Sequence, residues 1–472
     1  MKKWMVVLLV LVGMRGMGQI SQLWGMTSEG GAFGGGVIFH VNLDGTGFTL
    51  VHSFDTSQTG SGFYPCSELF KASNGKLYGM TQNGGLYNSG VMFSFDTTAN
   101  MYSDLYDFDE NCSFNSLIQK GDGKLYGMCE SGSGLIFSFD INTNTYTDLH
   151  DFIPWYGSGP LGGLVHASNG FYYGTTVQGG IDGIGALFRF DSTSNTYTDL
   201  MDFNGQAPIY GWYPHSLIQA SDGYLYGTSN LGANNNVLSV YSFNINNNSG
   251  TYLNGLNNML NPCGHLVQAS DGKLYGLTTN GGADSVGGIY IYNPSDYSIA
   301  DILDFNHLNG ANPQGSLVAS NNGFIYGMTK NGGANGMGVL FSYDIVDSIY
   351  SDIFDFNGAN GKNPLGSLII LSDSISTGFI QFNNSIYQIS LYPNPFSTTA
   401  TLVINGVETQ CIASLQIYNL LGQEVKTIPI NNQKEIPIKV GINRDNLPDG
   451  MYFYKIITNK NETLATGKMV IQ

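Results

Sequence analysis

The sequence predicts an all-β fold: a seven-bladed β-propeller closed by strands from its two ends, followed by a small Ig-like β-sandwich. Three observations carry this expectation. A Tyr-Gly or Trp-Gly strand recurs seven times, its aromatic residue at Trp24, Tyr78, Tyr126, Tyr173, Tyr226, Tyr275 and Tyr326, with spacings of 54, 48, 47, 53, 49 and 51 residues. A fixed period of that length marks a repeat architecture, in which each unit buries its apolar face only against its neighbours. An Asn-Gly or Asp-Gly pair precedes six of the seven strands, and the period stops near residue 371.

Within the copy at 162–203 the elements follow in order. Leu164-Val165-His166-Ala167-Ser168 forms a short first strand, and Asn169-Gly170 turns the chain. Phe171-Tyr172-Tyr173-Gly174-Thr175-Thr176 returns as the second strand. After Gly179-Gly180 and a loop, Ala186-Leu187-Phe188-Arg189-Phe190-Asp191 is the third and Tyr197-Thr198-Asp199-Leu200-Met201-Asp202-Phe203 the fourth. Asn-Gly or Asp-Gly between two apolar runs predicts a two-residue type I′ hairpin, in which both turn residues take positive φ. The glycine of Tyr-Gly is read as allowing close backbone packing within a blade.

One turn is missing, and its absence sets the closure. The first copy begins at Leu23-Trp24-Gly25 with no strand before it, whereas the seventh is followed by an unpaired Pro364-Leu365-Gly366-Ser367-Leu368-Ile369-Ile370. These two halves complete one blade from opposite ends and leave no open sheet edge at the seam. The propeller is expected over 19–371 and a linker over 372–385.

Charged residues make up 11% of the chain while Gly reaches 64 residues, a composition suited to short strands and tight turns. The formal net charge of −17, with no basic cluster, excludes nucleic acid as a partner, because phosphate binding needs cationic patches. Residues 1–18 read as a signal peptide: Lys2 and Lys3 precede an apolar run over 4–12, and Gly16-Met17-Gly18 supplies small residues for cleavage. That run is too short to span a bilayer, so no transmembrane segment is expected in the mature chain. The five cysteines include no CxxC pair, which argues against a zinc site and for buried small side chains, with one pairing, Cys66 to Cys112, held open.

The repeat resembles the GloVer family of tandem repeats of secreted bacterial proteins. The likeness rests on the Leu-Tyr-Gly-Met-Thr strands, the Gly-Gly pairs and the Gly-Val-x-Phe strands such as Gly90-Val91-Met92-Phe93. Two copies depart from it, at the shortened Glu130-Ser131-Gly132-Ser133-Gly134 and at Gly232-Ala233. The resemblance implies a propeller-like surface module and no reaction.

Beyond the linker, alternating strands are expected at 386–391, 400–404, 414–418, 436–440, 451–457 and 467–471. Four motifs in this stretch resemble the type A C-terminal sorting domain of the Bacteroidetes type IX secretion system. They are Leu391-Tyr392-Pro393-Asn394-Pro395-Phe396, the run from Ile417 through Gly422 to Val425, Leu447-Pro448-Asp449-Gly450-Met451-Tyr452-Phe453-Tyr454, and Gly467-Lys468-Met469-Val470. The resemblance makes 386–472 an address read by the type IX machinery, with Pro393, Asn394, Pro395, Gly422, Gly450, Tyr452 and Lys468 as its signature. It implies a secreted or outer-surface protein.

No catalytic motif appears: no HExxH, G-x-S-x-G, S-x-x-K or P-loop. The Phe-Asp and Asp-Leu-x-Asp-Phe aspartates lack the spacing of a calcium loop and read as turn formers, so neither metal nor cofactor is expected. The ring-axis positions Glu68, Ser116, Gly163, Ser216, His265, Ser316 and Ser367 do not read as a catalytic cluster. Blade-to-blade linkers and Gly-Gly loops emerge on one face, and there aromatic residues concentrate: Trp155 and Tyr156, then Tyr210, Trp212 and Tyr213, then Phe63 and Tyr64. Exposed aromatics bury large area at low entropy cost and suit sugar rings or protein partners. The leading expectation is a non-enzymatic binding or adhesion propeller for glycan or surface protein; the alternatives are a polysaccharide lyase or hydrolase and a purely structural surface protein.

Overall fold

A computed structural model describes residues 21–58, 60–110, 112, 116–204, 213–231, 237–372, 388–392, 396–405, 412–419, 423–430, 438–458 and 463–471. The chain divides into two compact units, Met1–Ser372 and Asp373–Gln472. Among the described residues there is no helix, and every strand ladder is antiparallel.

In the first unit each repeat contributes three long strands, as in Tyr172–Gln178, Ala186–Asp191 and Thr196–Asp202. The first strand is shorter than expected, and it is broken. Ser158–Pro160 pairs with the far end of Tyr172–Gln178, Val165–His166 pairs with its near end, and the chain leaves the ladder between them. Phe63–Pro65 and Phe70–Lys71 repeat the arrangement around Leu77–Asn83. There the Ser67 hydroxyl replaces the lost ladder acceptor, taking the Met80 N–H at 2.8 Å. In the sixth repeat the strand stays continuous: Ser249–Gln268 serves two repeats and joins them in one seven-stranded sheet, with a register shift between Cys263 and Val267.

The turns also differ from expectation. Gly75 takes φ +83° but Asn74 is not among the positive-φ residues, Gly75 N–H donates to the Ala72 carbonyl at 2.9 Å, and Ala72 N–H donates to the Lys76 carbonyl at 3.0 Å. This is a type I turn closed by a glycine bulge, not a type I′ turn. The asparagine stays right-handed because its side chain is engaged: Oδ1 accepts Lys76 N–H at 3.1 Å and Nδ2 donates to the Tyr78 hydroxyl at 2.8 Å. The same tie joins Asp122 to Tyr126, Asn169 to Tyr173, Asp222 to Tyr226 and Asp271 to Tyr275. Turn and Tyr-Gly strand therefore recur together. The first copy has no such turn, and there Trp24 stands in the tyrosine's place, its ring tilted against His40 with centroids 4.7 Å apart.

A register shift between the third and fourth strands recurs in all seven copies, as at Leu187/Phe188 and Ile289/Tyr290. The aspartates divide in role. Asp96, Asp140, Asp191 and Asp344 accept N–H groups two residues ahead, as turn formers do. The bulge brings the others together in pairs: burial and the neighbouring Asp202 push the Asp199 carboxyl up to about 6.

Seven hydrophobic clusters each join one repeat to the next. The last of them joins the seventh to the first, setting Tyr326, Met328 and Leu340 against Leu23, Val37 and Phe39. The seam forms as expected: Ile369–Ser372 pairs with Ser21–Thr27 from Trp24↔Ile369 to Ser21↔Ser372. The disulfide differs. Cys112 bonds Cys129, 17 residues on and within its own repeat, and not the buried Cys66. Cys129 ends the second strand of the repeat that Cys112 enters, so the hairpin itself brings the two together. Cys411 lies outside the described residues.

The second unit holds a three-stranded sheet (Gln388–Tyr392, Thr399–Asn405, Ile438–Asn443) and a four-stranded one (Glu424–Pro429, Ile412–Tyr418, Gly450–Thr458, Thr463–Ile471). Leu402, Ile404 and Val440 of the first share one core with Leu415, Ile417 and Tyr454 of the second. Glu424–Pro429 was not anticipated; it is a largely exposed edge strand, so little of its sequence is committed to a core.

Candidate functional site

The aromatic residues singled out from the sequence have different surroundings. Trp155 is 82% exposed and Tyr156 55% exposed, beside Ile153 at 49%. Their loop is fixed in place: Tyr156 N–H donates to the Ile153 carbonyl at 3.0 Å, and the Tyr197 hydroxyl donates to the Tyr156 carbonyl at 2.7 Å. Next to it lies a cleft of about 480 Å³ lined by His150, Phe152, Ile153, Tyr156, Asn195 and Tyr197. His150 stacks on Tyr197 at 4.5 Å, and burial lowers its pKa. Tyr213 is exposed, with φ 52°. Tyr210 and Trp212 lie outside the described residues. Phe63 and Tyr64 form part of a strand and a perpendicular ring pair at 5.0 Å, with Phe63 half-buried against the Trp24 cluster.

The repeats surround a second cavity, of about 420 Å³, where the first strands break. Breaking the ladder turns one residue per repeat towards the axis, and Glu68, Ser116, Ser216, His265, Ser316 and Ser367 all line the cavity. Glu68 Oε1 accepts the Ser316 hydroxyl at 2.8 Å and also the Ser367 hydroxyl. Ser116 Oγ meets His265 Nε2 at 2.8 Å across 149 residues of chain. The seventh ring position is Gly163, where a Cβ would stand 2.2 Å from Ser116 Oγ. Only glycine there lets serine and histidine meet.

Glu130 and His215 also line this cavity. Burial raises the Glu130 carboxyl and lowers the His215 imidazole to about 4, so His215 is neutral near pH 7. The sequence pointed to the ring positions without finding chemistry in them, and it passed over Glu130 altogether. The available signal was the shortened loop that Glu130 opens, a departure from the repeat.

In the second unit, Gly450 opens its strand with φ +155°, and the buried Tyr452 donates its hydroxyl to the Pro448 carbonyl at 2.9 Å. Arg444 ties the same turn, to Leu447 O at 3.0 Å and Asp449 at 2.6 Å. Lys468 pairs with Phe453 in the ladder. Pro393, Asn394, Pro395 and Gly422 lie outside the described residues.

Solved structures similar to the chain include three from different bacteria. The Pseudomonas aeruginosa periplasmic gluconolactonase PpgL is 14% identical, with 75% of this chain and 99% of that one covered at a TM-score of 0.52. A protein from Lactobacillus plantarum is 11% identical, with 75% and 100% covered at 0.52. PorZ, a surface component of the Porphyromonas gingivalis type IX secretion system, is 13% identical, with 92% and 63% covered at 0.44. At identities this low the first two structures speak to fold alone. No curated protein sequence matches.

Two family models match: the Gloeobacter/Verrucomicrobia repeat over residues 17–211 and 206–389, and the secretion system C-terminal sorting domain over 390–472. The tail marks an exported protein, secreted or held at the outer cell surface. Repeat, closure and tail together establish that the chain belongs to the Gloeobacter/Verrucomicrobia repeat family and carries a type IX sorting domain at its end.

Proposed function

We propose that this protein is a seven-bladed propeller that works at or beyond the cell surface by binding glycan, not by chemistry of its own. Residues 1–18 are then a signal peptide, 19–371 the propeller, 372–385 a linker and 386–472 an Ig-like sandwich whose role is export. The observation that carries the reading is Trp155, a large apolar ring 82% exposed on a loop that hydrogen bonds hold in place. A rigid exposed indole loses little side-chain entropy on stacking against a sugar face. Tyr156 and the adjoining cleft supply further contact area and polar groups.

The test is a glycan array probed with the wild-type chain and with Trp155→Ala. Binding that falls by about tenfold or more in the variant, the loss of a hot-spot aromatic, supports the reading. Equal binding by both proteins, or none by either, removes it.

A hydrolase reading has one observation in its favour: Glu68 and Glu130, far apart in sequence, line one cavity, and Glu130 is raised as a general acid would be. Release of reducing ends from polysaccharide, abolished by Glu130→Gln, would establish it.

A further inference from the structure

We infer that the axial cavity binds a small organic cation carrying a primary ammonium group. The site is separate from the Trp155 surface and does not depend on the glycan reading.

Charge is the first argument. Among the described residues, Glu68 and Glu130 are the acidic ones in the lining, and no Lys or Arg lines it. Among the described residues neither carboxylate has a cationic partner: Glu68 is held by two serine hydroxyls at Oε1, and burial alone accounts for the rise at Glu130. A carboxylate withdrawn from water without a counter-charge is costly, and a bound cation offsets that cost. The formal net charge of −17 adds a field of the same sign, which draws cations to the cavity and turns anions away. Phosphorylated and carboxylated ligands are thereby disfavoured.

The lining then narrows the kind of cation. A bare metal ion needs several ligands converging on one point, and among the described residues no three His, Cys, Asp or Glu side chains do so. The acceptors are spread around a space of about 420 Å³, which suits a molecule and not an ion. Quaternary ammonium groups are recognised by aromatic cages, and among the described residues no Phe, Tyr or Trp lines this cavity. A primary ammonium instead carries three N–H donors, which fits a site rich in acceptors. The neutral His215 beside it adds no repelling charge near pH 7.

Titration calorimetry on the full chain tests this with three probes: glucosamine, putrescine and N-acetylglucosamine. The first and third differ little in size, but acetylation removes the charge. Both amines are expected to bind at millimolar or lower concentration, with glucosamine about tenfold or more tighter than its acetylated form, a ratio worth about 1.4 kcal/mol per tenfold. Glu130→Gln is expected to weaken amine binding by about tenfold. Glu68→Gln, which keeps an acceptor for Ser316 and Ser367, is expected to do the same, so that loss of fold in one variant leaves the other decisive. Trp155→Ala leaves amine affinity unchanged, which separates this site from the glycan surface. Equal binding of the acetylated sugar, failure of both amines to bind, or full affinity in a folded Glu130→Gln protein would each overturn the assignment.

Discussion

Gly174 lies under the ring of Phe188, its partner across the ladder, so closely that a Cβ at residue 174 would stand 2.5 Å from Phe188 Cζ. The same pairing sets Gly79 against Phe93, Gly127 against Phe137 and Gly327 against Phe341, with a Cβ at 2.6, 2.5 and 2.6 Å from the ring. In these four copies the glycine of Tyr-Gly and the Phe across from it are thus one packing unit, and at Gly227 and Gly276 the facing ring is Tyr241 or Tyr290.

Gly174→Ala is therefore expected to destabilise the first unit by about 1–3 kcal/mol through overpacking. Phe188→Leu, costly alone because it leaves a cavity, should recover part of that loss in the double variant. Denaturant midpoints across the four proteins check this as a double-mutant cycle. Simple additivity would show that ring and glycine do not interact.

The paired aspartates predict a pH dependence of definite sign. Asp199 has its carboxyl raised in the fold to about 6 from an ordinary 3.8, first by burial and then by Asp202. The fold prefers the protonated form, so the destabilisation is fully present above about pH 6 and disappears as pH falls below the unfolded value. Asp199→Asn is expected to stabilise at pH 7.5 by about 1 kcal/mol, a figure reduced for partial exposure, and to give no gain near pH 3.5. Melting temperatures of wild type and variant at both pH values decide it. A variant less stable at pH 7.5 would mean that the charged carboxylate is being held by a favourable contact.

Closure predicts the third outcome. A chain ending at residue 363 lacks Ile369–Ser372 and exposes the edge of Ser21–Thr27. An open, largely apolar edge invites pairing with another chain. Light scattering is expected to show self-association of the product over 19–363 and a single species for 19–372, with a peptide of residues 364–372 restoring the monomer. A monomeric 19–363 product with an unchanged melting temperature would show that the seam contributes nothing.

Legibility in the sequence followed the range of the interaction. The Tyr-Gly period, the third and fourth strands and the split first repeat were readable because each leaves a local pattern repeated in register. The turn type was not, because Asn74 is held right-handed by Tyr78, a contact that dipeptide preference does not contain. The break in the first strand was hidden as well, since Ser67 supplies from a side chain what the ladder would give. Cys112 finds Cys129 through hairpin geometry, which cysteine spacing alone does not reveal. At the axis the residue types were visible one repeat at a time; that Glu68, Glu130 and His265 line one cavity depends on the curvature of the whole ring.

The seam carries a consequence for how the protein is made. Its two strands lie at opposite ends of the first unit, so the pairing of Leu23 with Ile370 is among the least local contacts in the chain. Contacts of such long separation are slow to form, and repeats synthesised early must wait with an open edge. The closing strand is completed at Ser372, and the export address begins at 390. A ribosome that stops before Ile369 leaves a product with neither. Any chain bearing the address has already received its closing strand, so the order of synthesis keeps incomplete rings from presenting the C-terminal sorting domain.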